Sequence, residues 1–506
     1  EISERDFDGD GTLNIFDSTC YCASGNYHDP LAQSDCSPSE RGHYVTGNEN
    51  DPHRIGDGLG GHRCVIMDNG SIMCTGAGGD GQLGDGSTSD SLTPVNVTMP
   101  SGRTAVEVVT SYGSSCAIMD DGMIYCWGRN TYGQLGDGST TDSTSLVAVD
   151  MPTGLTAVDI DPGPWGYCAV MDDDSMYCWG RNQNYQLGCG TSLYYDTPCL
   201  VSGVSATKAS MGYSHVCALL TDSSISCWGR NSYGQIGDGT TTHRYNTPTA
   251  VSLPAGSVAT DIGTGYYHSC AILSDSTMYC WGSNEHGQIG DGSSGNAYHR
   301  STPVQITVDS DSTTTMIGAG AYHTCSSQSD NNLYCWGQNS YGSLGDGSTD
   351  PSSSPLRVDS LLKGRQINGI TSGGSISTCA LLDNYLISCW GYNPEGELGD
   401  GSTTDRTLPV ISGFISEAPN SQTKCIEGTY QPDIAQTSCL DADAGYYVDS
   451  TAQSYQTSCA AGTYQPSTGQ TSCLEADAGY YVATNASASK TECAVGTYQP
   501  YTAQNS

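Results

Sequence analysis

Pairs of cysteines ten residues apart recur seven times along the chain, and this pattern constrains the fold more than any other feature of the sequence. Successive pairs are about 50 residues apart, and each second cysteine begins a glycine-rich segment like CWGRNTYGQLGDG. A unit that recurs at this period indicates a protein built from structural repeats. The pairs are Cys64 and Cys74, Cys116 and Cys126, Cys168 and Cys178, Cys217 and Cys227, Cys270 and Cys280, Cys325 and Cys335, and Cys379 and Cys389.

The residues between two paired cysteines predict a β-hairpin. If residues 120–122 form a three-residue turn, Cys116 faces Cys126 across the hairpin. Opposed residues of a non-hydrogen-bonded pair have Cα atoms about 4.5 Å apart, a distance that a disulfide spans. Each of the seven pairs is therefore predicted to form a disulfide within its own hairpin.

The remainder of each repeat is predicted to add two more short strands. Hydrophobic residues make up only 36% of the chain, whereas glycine occurs 64 times, which favours short strands and tight turns over a helical core. One four-stranded sheet cannot cover both of its faces, but seven sheets around an axis cover one another. We therefore predict an all-β fold with a seven-bladed β-propeller over residues 54–412, in which each recurring Trp packs between two blades.

Three recurring motifs resemble those of the regulator-of-chromosome-condensation repeat family: Trp-Gly, Gly-Gln-Leu-Gly and an upstream Gly-x-x-His such as Gly212-Tyr-Ser-His215. The resemblance covers residues 54–412 and implies the propeller fold. It implies no single activity, because such propellers include nuclear exchange factors, light sensors and secreted inhibitors of β-lactamases. Two repeats depart from the pattern: Thr75 replaces the first Trp, and the third repeat contains Cys189, which is predicted to pair with Cys199.

Cysteine content and charge indicate a secreted or cell-surface protein. Twenty-four cysteines suit an oxidising compartment, and a net charge of -37 argues against nucleic acid or an anionic membrane as a partner. No apolar run reaches the 18 residues of a membrane span, so we expect no direct membrane insertion. A cleavable signal peptide is not visible at Glu1, which predicts that a secreted form is processed. No nucleophile elbow, zinc-protease motif or phosphate loop is present, so we expect no enzyme activity.

Residues 413–506 contain a second, smaller repeat. It begins as CIEGTYQP at Cys425 and as CAAGTYQP at Cys459, and a third copy begins at Cys493. These copies resemble the cysteine-rich modules of the ephrin-receptor-like and tumour-necrosis-factor-receptor-like kind, which depend on disulfides to fold. Because the third copy reaches Ser506 before its second cysteine, we expect the array to continue beyond this residue.

Residues 20–53 match the same module template, so one kind of module flanks the propeller on both sides. Cys20 is left over and predicts a linkage to another module or chain. The simplest predicted disulfides join Cys22 to Cys36, Cys425 to Cys439, and Cys459 to Cys473, with Cys439 to Cys459 as an alternative.

The N-terminal segment, residues 1–19, contains the sequence DFDGDGTLNIFD, which has the spacing of an EF-hand-type calcium loop. It resembles the calcium loops of dockerins and thrombospondin-type repeats, because its last ligand is Asp and no flanking helices are evident. We expect Ca²⁺ to stiffen an interdomain joint; the alternative is a bare Asp/Gly turn. The predicted ligands are Asp6, Asp8, Asp10, the carbonyl of Thr12, Asn14 and Asp17.

Three further sets of residues recur or match a motif. Histidines two residues before a first cysteine are predicted to hydrogen-bond to backbone, with a ring of metal ligands as the alternative: His62, His215, His268 and His323. Asp-Gly steps predict turns, with a cation-binding rim as the alternative: Asp85, Asp137, Asp238, Asp291, Asp346 and Asp400. Glycosylation sequons suit a secreted glycoprotein: Asn69, Asn96 and Asn485.

Two functional hypotheses follow from these features. In the first, the protein is a non-enzymatic structural or adhesive element of a cell-surface stalk, hair or filament, whose partners are copies of itself, neighbouring modules, or other surface proteins and glycans. In the second, it is a secreted module whose propeller binds a protein or glycan, as an inhibitor or lectin does. The flanking modules and the unpaired Cys20 favour the first hypothesis.

Overall fold

The computed structural model separates the chain into two compact parts, Asn50–Ile415 and Glu1–Glu49 with Ser416–Ser506, which we describe one at a time. The structure describes residues 52–58, 60–67, 69–309, 311–358, 366–371, 376–382, 386–414, 423–425, 427, 429–430, 439–451, 455–495 and 497–506, and the short strands Asn26–Tyr27, Ser37–Pro38 and His43–Tyr44. The predicted calcium ligands, together with Cys20, Cys22 and Cys36, lie outside these residues.

The first part consists of seven successive repeats, each with four antiparallel strands. The described residues contain no α-helix and only the 3-10 turn Asn296–Tyr298, so the all-β prediction is confirmed, and none of them forms a helix that could cross a bilayer. The strands of repeats 1 to 3 are Pro52–Ile55, His62–Met67, Ile72–Gly76 and Ser91–Asn96; Ala105–Thr110, Ser114–Met119, Ile124–Gly128 and Ser143–Ala148; Ala157–Gly163, Gly166–Met171, Ser175–Arg181 and Tyr194–Met211. Repeats 4 to 7 comprise Tyr194–Met211, His215–Leu220, Ile225–Gly229 and Arg244–Ala250; Ala259–Thr264, His268–Leu273, Met278–Gly282 and Arg300–Ile306; Thr314–Ala319, His323–Gln328, Leu333–Gly337 and Ser352–Arg357; Ile367–Thr371, Ser377–Leu382, Ile387–Gly391 and Arg406–Ile411.

Two connections depart from this plan. The long strand Tyr194–Met211 is both the last strand of repeat 3 and the first of repeat 4, so these repeats share one seven-stranded sheet. The short strand Asp57–Gly58 pairs in parallel with the first strand of repeat 2. By contrast, the described strands of repeats 1 and 7 form two sheets that exchange no strand with each other.

The second and third strands of each repeat form the predicted hairpin. In repeat 2 the register places Cys116 opposite Cys126, and Gly122 supplies the positive φ of 75° that the turn requires. The paired cysteines have Cα atoms 4.0 to 4.1 Å apart in all seven hairpins and are bonded as the spacing predicts. Each such short loop contributes about 2 to 3 kcal/mol through chain entropy. Cys189 and Cys199 are also bonded.

Each recurring Trp lies fully buried between its own repeat and the preceding one. The Nε1 of Trp127 donates a hydrogen bond of 2.8 Å to the backbone carbonyl of Gln82 in repeat 1. Gly84 lies against the ring, because a Cβ there would approach Trp127 Nε1 to 2.7 Å. The same donor and carbonyl recur in four further junctions: Trp179 with Gln134, Trp281 with Gln235, Trp336 with Gln288, and Trp390 with Ser343.

The recurring histidines form a second bond between repeats, and the prediction of a backbone partner is wrong. His62 Nε2 lies 2.8 Å from the Oγ of Ser115 in the next repeat, and Ser115 in turn donates to the Gln82 carbonyl. Because the hydroxyl proton is already used, the histidine must donate from Nε2. The same bond joins His215 to Ser269, His268 to Thr324, and His323 to Thr378.

Repeat 7 contacts repeat 1 through residues that depart from the consensus. Arg63 donates to the hydroxyls of Thr371 at 2.6 Å and Ser377 at 3.1 Å. Phe414 is completely buried and lies beside Gly399, the glycine that corresponds to Gly84. Phe414 thus fills the space that a Trp ring occupies at the other junctions, where repeat 1 has only Thr75.

Glu397 gives this junction a distinctive pH dependence. It is 1% exposed and accepts the backbone N–H of Glu395, where the first five repeats use a Gln, and burial raises its pKa to about 7. A carboxyl with a raised pKa favours the folded state while protonated, and this stabilisation is lost as the pH rises from about 4.5 to about 7. We expect Glu397→Gln to gain about 3 kcal/mol at pH 8 and nothing at pH 4, measured by urea unfolding. The reverse change Gln134→Glu should lose stability at pH 8, and equal pH profiles for Glu397→Gln and the wild type would contradict the assignment.

The described residues of the second part form small two-stranded sheets and two disulfides. Cys425 is bonded to Cys439 and Cys459 to Cys473, whereas Cys493 is a free thiol within the described residues. The paired strands are Asn26–Tyr27 with Ser37–Pro38, His43–Tyr44 with Thr423–Lys424, Thr429–Tyr430 with Leu440–Asp441, Tyr446–Tyr447 with Thr457–Ser458, Thr463–Tyr464 with Leu474–Glu475, and Tyr480–Tyr481 with Thr491–Glu492.

Candidate functional site: an aromatic and arginine-bearing face

One edge of the repeats brings two sets of loops together. The loop between the first and second strands and the loop after the third strand leave the same edge, and backbone bonds join them, for example Arg129 N–H to Gly113 carbonyl at 2.7 Å and Arg230 N–H to Ser214 carbonyl at 2.8 Å. We call this surface the aromatic face; it is defined by Tyr112, Arg129, Tyr132, Trp165, Arg181, Tyr213, Arg230, Tyr233, Tyr266, Tyr267 and Tyr322.

Tyrosines from repeats 2, 4, 5 and 6 meet in one cluster on this face. Tyr266 lies within it, with its ring centroid 5.2 Å from those of both Tyr213 and Tyr322 and 6.5 Å from that of Tyr112. Tyr266 itself is 7% exposed, whereas the surrounding rings are half-buried. Tilted and edge-on aromatic pairs of this kind stabilise one another and leave rigid apolar surface for a partner.

Three arginines lie over the rings. The guanidinium carbon of Arg129 is 5.3 Å from the centroid of Trp165, and that of Arg181 is 5.4 Å from the Tyr132 ring and 5.9 Å from Trp165. Arg230 lies 5.9 Å from the Tyr233 ring. Cation–π contacts at exposed sites contribute about 0.5 to 1 kcal/mol each. Three of only 17 basic residues in the chain therefore gather on one half-buried surface.

The face offers groups suited to binding. Burial raises the pKa of Tyr267 to about 12 and raises that of Tyr322, so these phenols stay neutral at physiological pH. Trp165 Nε1 and Gln338 Oε1 have no hydrogen-bond partner within the described part of the chain. Among those same residues no group of three His, Cys, Asp or Glu side chains is placed to hold a metal. Neutral rings, hydrogen-bonding groups and guanidiniums together suit recognition of a partner.

The opposite edge of the repeats carries a different set of loops and side chains. It carries the hairpin turns and the loops that lead from each fourth strand to the next repeat, which backbone bonds also join, as between Asp172 N–H and Thr156 carbonyl at 2.9 Å. Arg103 pairs here with Asp121 at 2.6 Å. We call this surface the acidic face; it is defined by Asp120, Asp121, Asp150, Asp172, Asp173, Asp174, Asp222, Asp275, Asp309, Asp311 and Asp330.

The Asp-Gly steps form turns, as predicted. Asp137 Oδ1 accepts the N–H of Ser139 at 3.0 Å, and the equivalent aspartates repeat this bond. The cation-rim alternative finds no support, because arginines already neutralise several of these carboxylates: Arg244 pairs with Asp238, Arg300 with Asp291, and Arg406 with Asp400. The sequon residues Asn69, Asn96 and Asn485 are exposed.

Comparison with known proteins shows that residues 57–321 match the RCC1-like domain and that residues 330–380 match the regulator of chromosome condensation (RCC1) repeat. The ultraviolet-B receptor UVR8 of Arabidopsis thaliana is 28% identical over 401 residues, which are 78% of this chain and 88% of the receptor. The human E3 ubiquitin-protein ligase HERC2 is 26% identical over 371 residues, which are 72% of this chain but 7% of the ligase.

Solved structures show the same fold. Yeast RCC1 (Prp20), in its complex with Kap60, superposes with a TM-score of 0.59 at 18% identity, covering 72% of this chain and 89% of Prp20. Human WBSCR16 gives a TM-score of 0.57 at 18% identity, covering 71% of this chain and 96% of WBSCR16. At these identities the likeness concerns the fold alone, and it confirms the predicted propeller.

Proposed function

Since the chain belongs to the family of RCC1-like domains, whose members carry names as different as photoreceptor and ubiquitin ligase, we propose that this protein is a non-enzymatic extracellular structural or adhesive protein. Its propeller serves as a rigid body that binds a partner through the aromatic face. The observation that carries this proposal is the gathering of partly exposed rings and three stacked arginines on that one face.

We further propose that the seven repeats close as seven blades. Three contacts between the first and last repeats support closure: Arg63 with Ser377, the hydroxyl of Thr75 with the Gly396 carbonyl at 3.2 Å, and burial of Phe414. The junctions also follow one rule around the ring, since a His in one repeat always faces Ser or Thr in the next. Where a repeat has another residue in place of this His, the partner in the next repeat differs too, as with Ser114, which hydrogen-bonds to Tyr167.

Disulfides support the extracellular location. Ten pairs are bonded among the described cysteines, and such bonds persist in oxidising compartments. The exposed sequons suit a secreted glycoprotein. The loop of residues 6–17 has the ligand spacing for Ca²⁺, with a structural role at a joint. The acidic composition favours proteins or glycans as partners over nucleic acid.

Negative-stain electron microscopy of the non-reduced, full-length protein tests this proposal. We expect ordered oligomers or fibres in calcium that loosen when calcium is chelated. A variant with Asp6→Asn and Asp8→Asn should behave like the chelated protein in the presence of calcium. Dispersed particles that do not respond to calcium would contradict the structural role.

A second function is favoured by the tyrosine cluster, because flat aromatic surface also binds sugar rings. In this case the protein is a secreted binding module that remains monomeric. Binding to soluble polysaccharides that is lost in Trp165→Ala and Tyr267→Ala, with no self-association of the wild type, would support this alternative.

A further inference from the structure

We propose that the acidic face of one copy of this protein docks onto the aromatic face of a second copy, so that copies associate head to tail. The arginines Arg129, Arg181 and Arg230 of one copy would pair with carboxylates of the next. This inference rests on the proposed structural function and names the partner of its binding face.

The two faces lie at opposite ends of the same strands. In repeat 2, for example, the turn at Asp121 joins two strands whose other ends meet Gly113 and Arg129. Every copy therefore presents one face of each kind, and the two face in opposite directions along the strands. A protein with this arrangement carries the complement of its own binding surface.

The charges also agree in position around the ring. Arg129, Arg181 and Arg230 belong to repeats 2, 3 and 4, one in each. The acidic face carries carboxylates in each of these repeats: Asp120, Asp121 and Asp150 in repeat 2, Asp172, Asp173 and Asp174 in repeat 3, and Asp222 in repeat 4. A second copy displaced along the strand direction with little rotation brings these like-numbered repeats together.

Electrostatics select this orientation over the symmetric ones. Two aromatic faces in contact would oppose arginine to arginine, and two acidic faces would oppose carboxylate to carboxylate, which is unfavourable. On the acidic face, Arg103 forms ion pairs with Asp120 and Asp121. Arginine binds carboxylates through paired hydrogen bonds, and rings around it exclude water, as at the centres of strong interfaces.

Head-to-tail contact has a structural consequence. An interface between two different surfaces of the same protein leaves one surface of each kind free at the ends of every oligomer. Because a near-translation does not close into a ring, association continues into an open filament. Salt screens the charges of a protein with a net charge of -37, so the degree of association should depend strongly on the salt concentration.

Two full-length variants test the inference. The first carries Arg129→Gln, Arg181→Gln and Arg230→Gln, which disables the aromatic face and leaves the acidic face intact. The second carries Asp150→Asn, Asp173→Asn and Asp222→Asn, which disables only the acidic face. Analytical ultracentrifugation at low salt and fixed calcium should show oligomers for the wild type and at least a tenfold loss of association for each variant alone. An equimolar mixture should form one-to-one dimers and nothing larger, because each variant retains the face that the other needs.

The remaining outcomes separate the two proposals. If both variants assemble like the wild type, the inference is overturned, whereas the structural function stands and assembly uses other surfaces. If the wild type stays monomeric but binds the polyanion alginate through its arginines, both are overturned in favour of an anionic glycan ligand. A mixture of two folded variants that fails to dimerise also overturns the inference.

Discussion

Lowering the pH from 7 to 5 is expected to destabilise the propeller by about 6 kcal/mol, enough to unfold a typical domain. The four histidines at the repeat junctions, which are at most 2% exposed, account for a loss of about 8 kcal/mol. Protonation of Glu397 restores about 2 kcal/mol of it. Burial lowers the pKa of His62, His215 and His268 to about 3 and that of His323 to about 4, from an ordinary 6.5. A base with a lowered pKa stabilises the folded state above about 6.5 and loses that contribution as the pH falls, because only the unfolded chain takes up the protons.

Mutation of single histidines should remove their separate contributions to this pH-dependent loss of stability. Each histidine accounts for about 2 kcal/mol at pH 5, so His268→Ser should reduce the difference between pH 7 and pH 5 by that amount. Serine is the natural residue at this position in repeats 2 and 7, as Ser114 and Ser377. Val158→Ala, which removes no ionisable group from an exposed position, is the control and should leave the pH dependence unchanged. Urea unfolding followed by tryptophan fluorescence at several pH values gives these free energies, and an unchanged slope in His268→Ser would refute the assignment.

Replacing Phe414 with Ala is expected to cost about 3 to 5 kcal/mol, the usual loss for a large buried aromatic residue. The side chain has no exposed area, shares a core cluster with Met67 and Leu398, and lies against Gly399. Its removal leaves a cavity between repeats 7 and 1, where Thr75 is too small to compensate. Urea unfolding at pH 7.5 measures the loss.

A matched control separates this packing effect from a general loss of apolar surface. Val158 is 57% exposed, so Val158→Ala should change stability by no more than about 0.5 kcal/mol. Phe414→Trp restores a large ring at the junction and should recover part of the loss. A cost below about 1 kcal/mol for Phe414→Ala would show that the space between repeats 7 and 1 is not sealed by this residue.

The parts of the fold that depend on local spacing were predictable. A turn of fixed length brings Cys116 opposite Cys126 whatever lies outside the hairpin, and alternation and glycine placement then define the strands. The histidine partners were not found, because His62 bonds to a residue in another repeat and only the stacked sheets show which positions meet. The signal is nevertheless present in the sequence. The residue two positions before the first cysteine of one repeat varies together with the residue immediately before the first cysteine of the next repeat.

The closing residue and the binding face escaped prediction for different reasons. Phenylalanine occurs at this position in the last repeat alone, so no periodicity marks Phe414, although it is one of only three phenylalanines in the chain. The face lies in the loops that carry the Gly-x-x-His and Trp-Gly motifs, which were recognised as marks of the fold alone. Their convergence requires knowing that both loops leave the same edge of a sheet.

The way in which repeats 1 and 7 meet also has a mechanical meaning. Among the described strands, neither sheet lends one to the other, so this junction is held by side chains such as Arg63 and Phe414 and by a hydrogen bond from the Gly401 N–H to the Leu92 carbonyl. Repeats 3 and 4, by contrast, are joined by the continuous backbone of Tyr194–Met211. Tension applied to the two ends of the propeller would load those side-chain contacts first. The propeller should therefore yield at this one junction at low force, while each hairpin disulfide keeps the second and third strands of its own repeat linked.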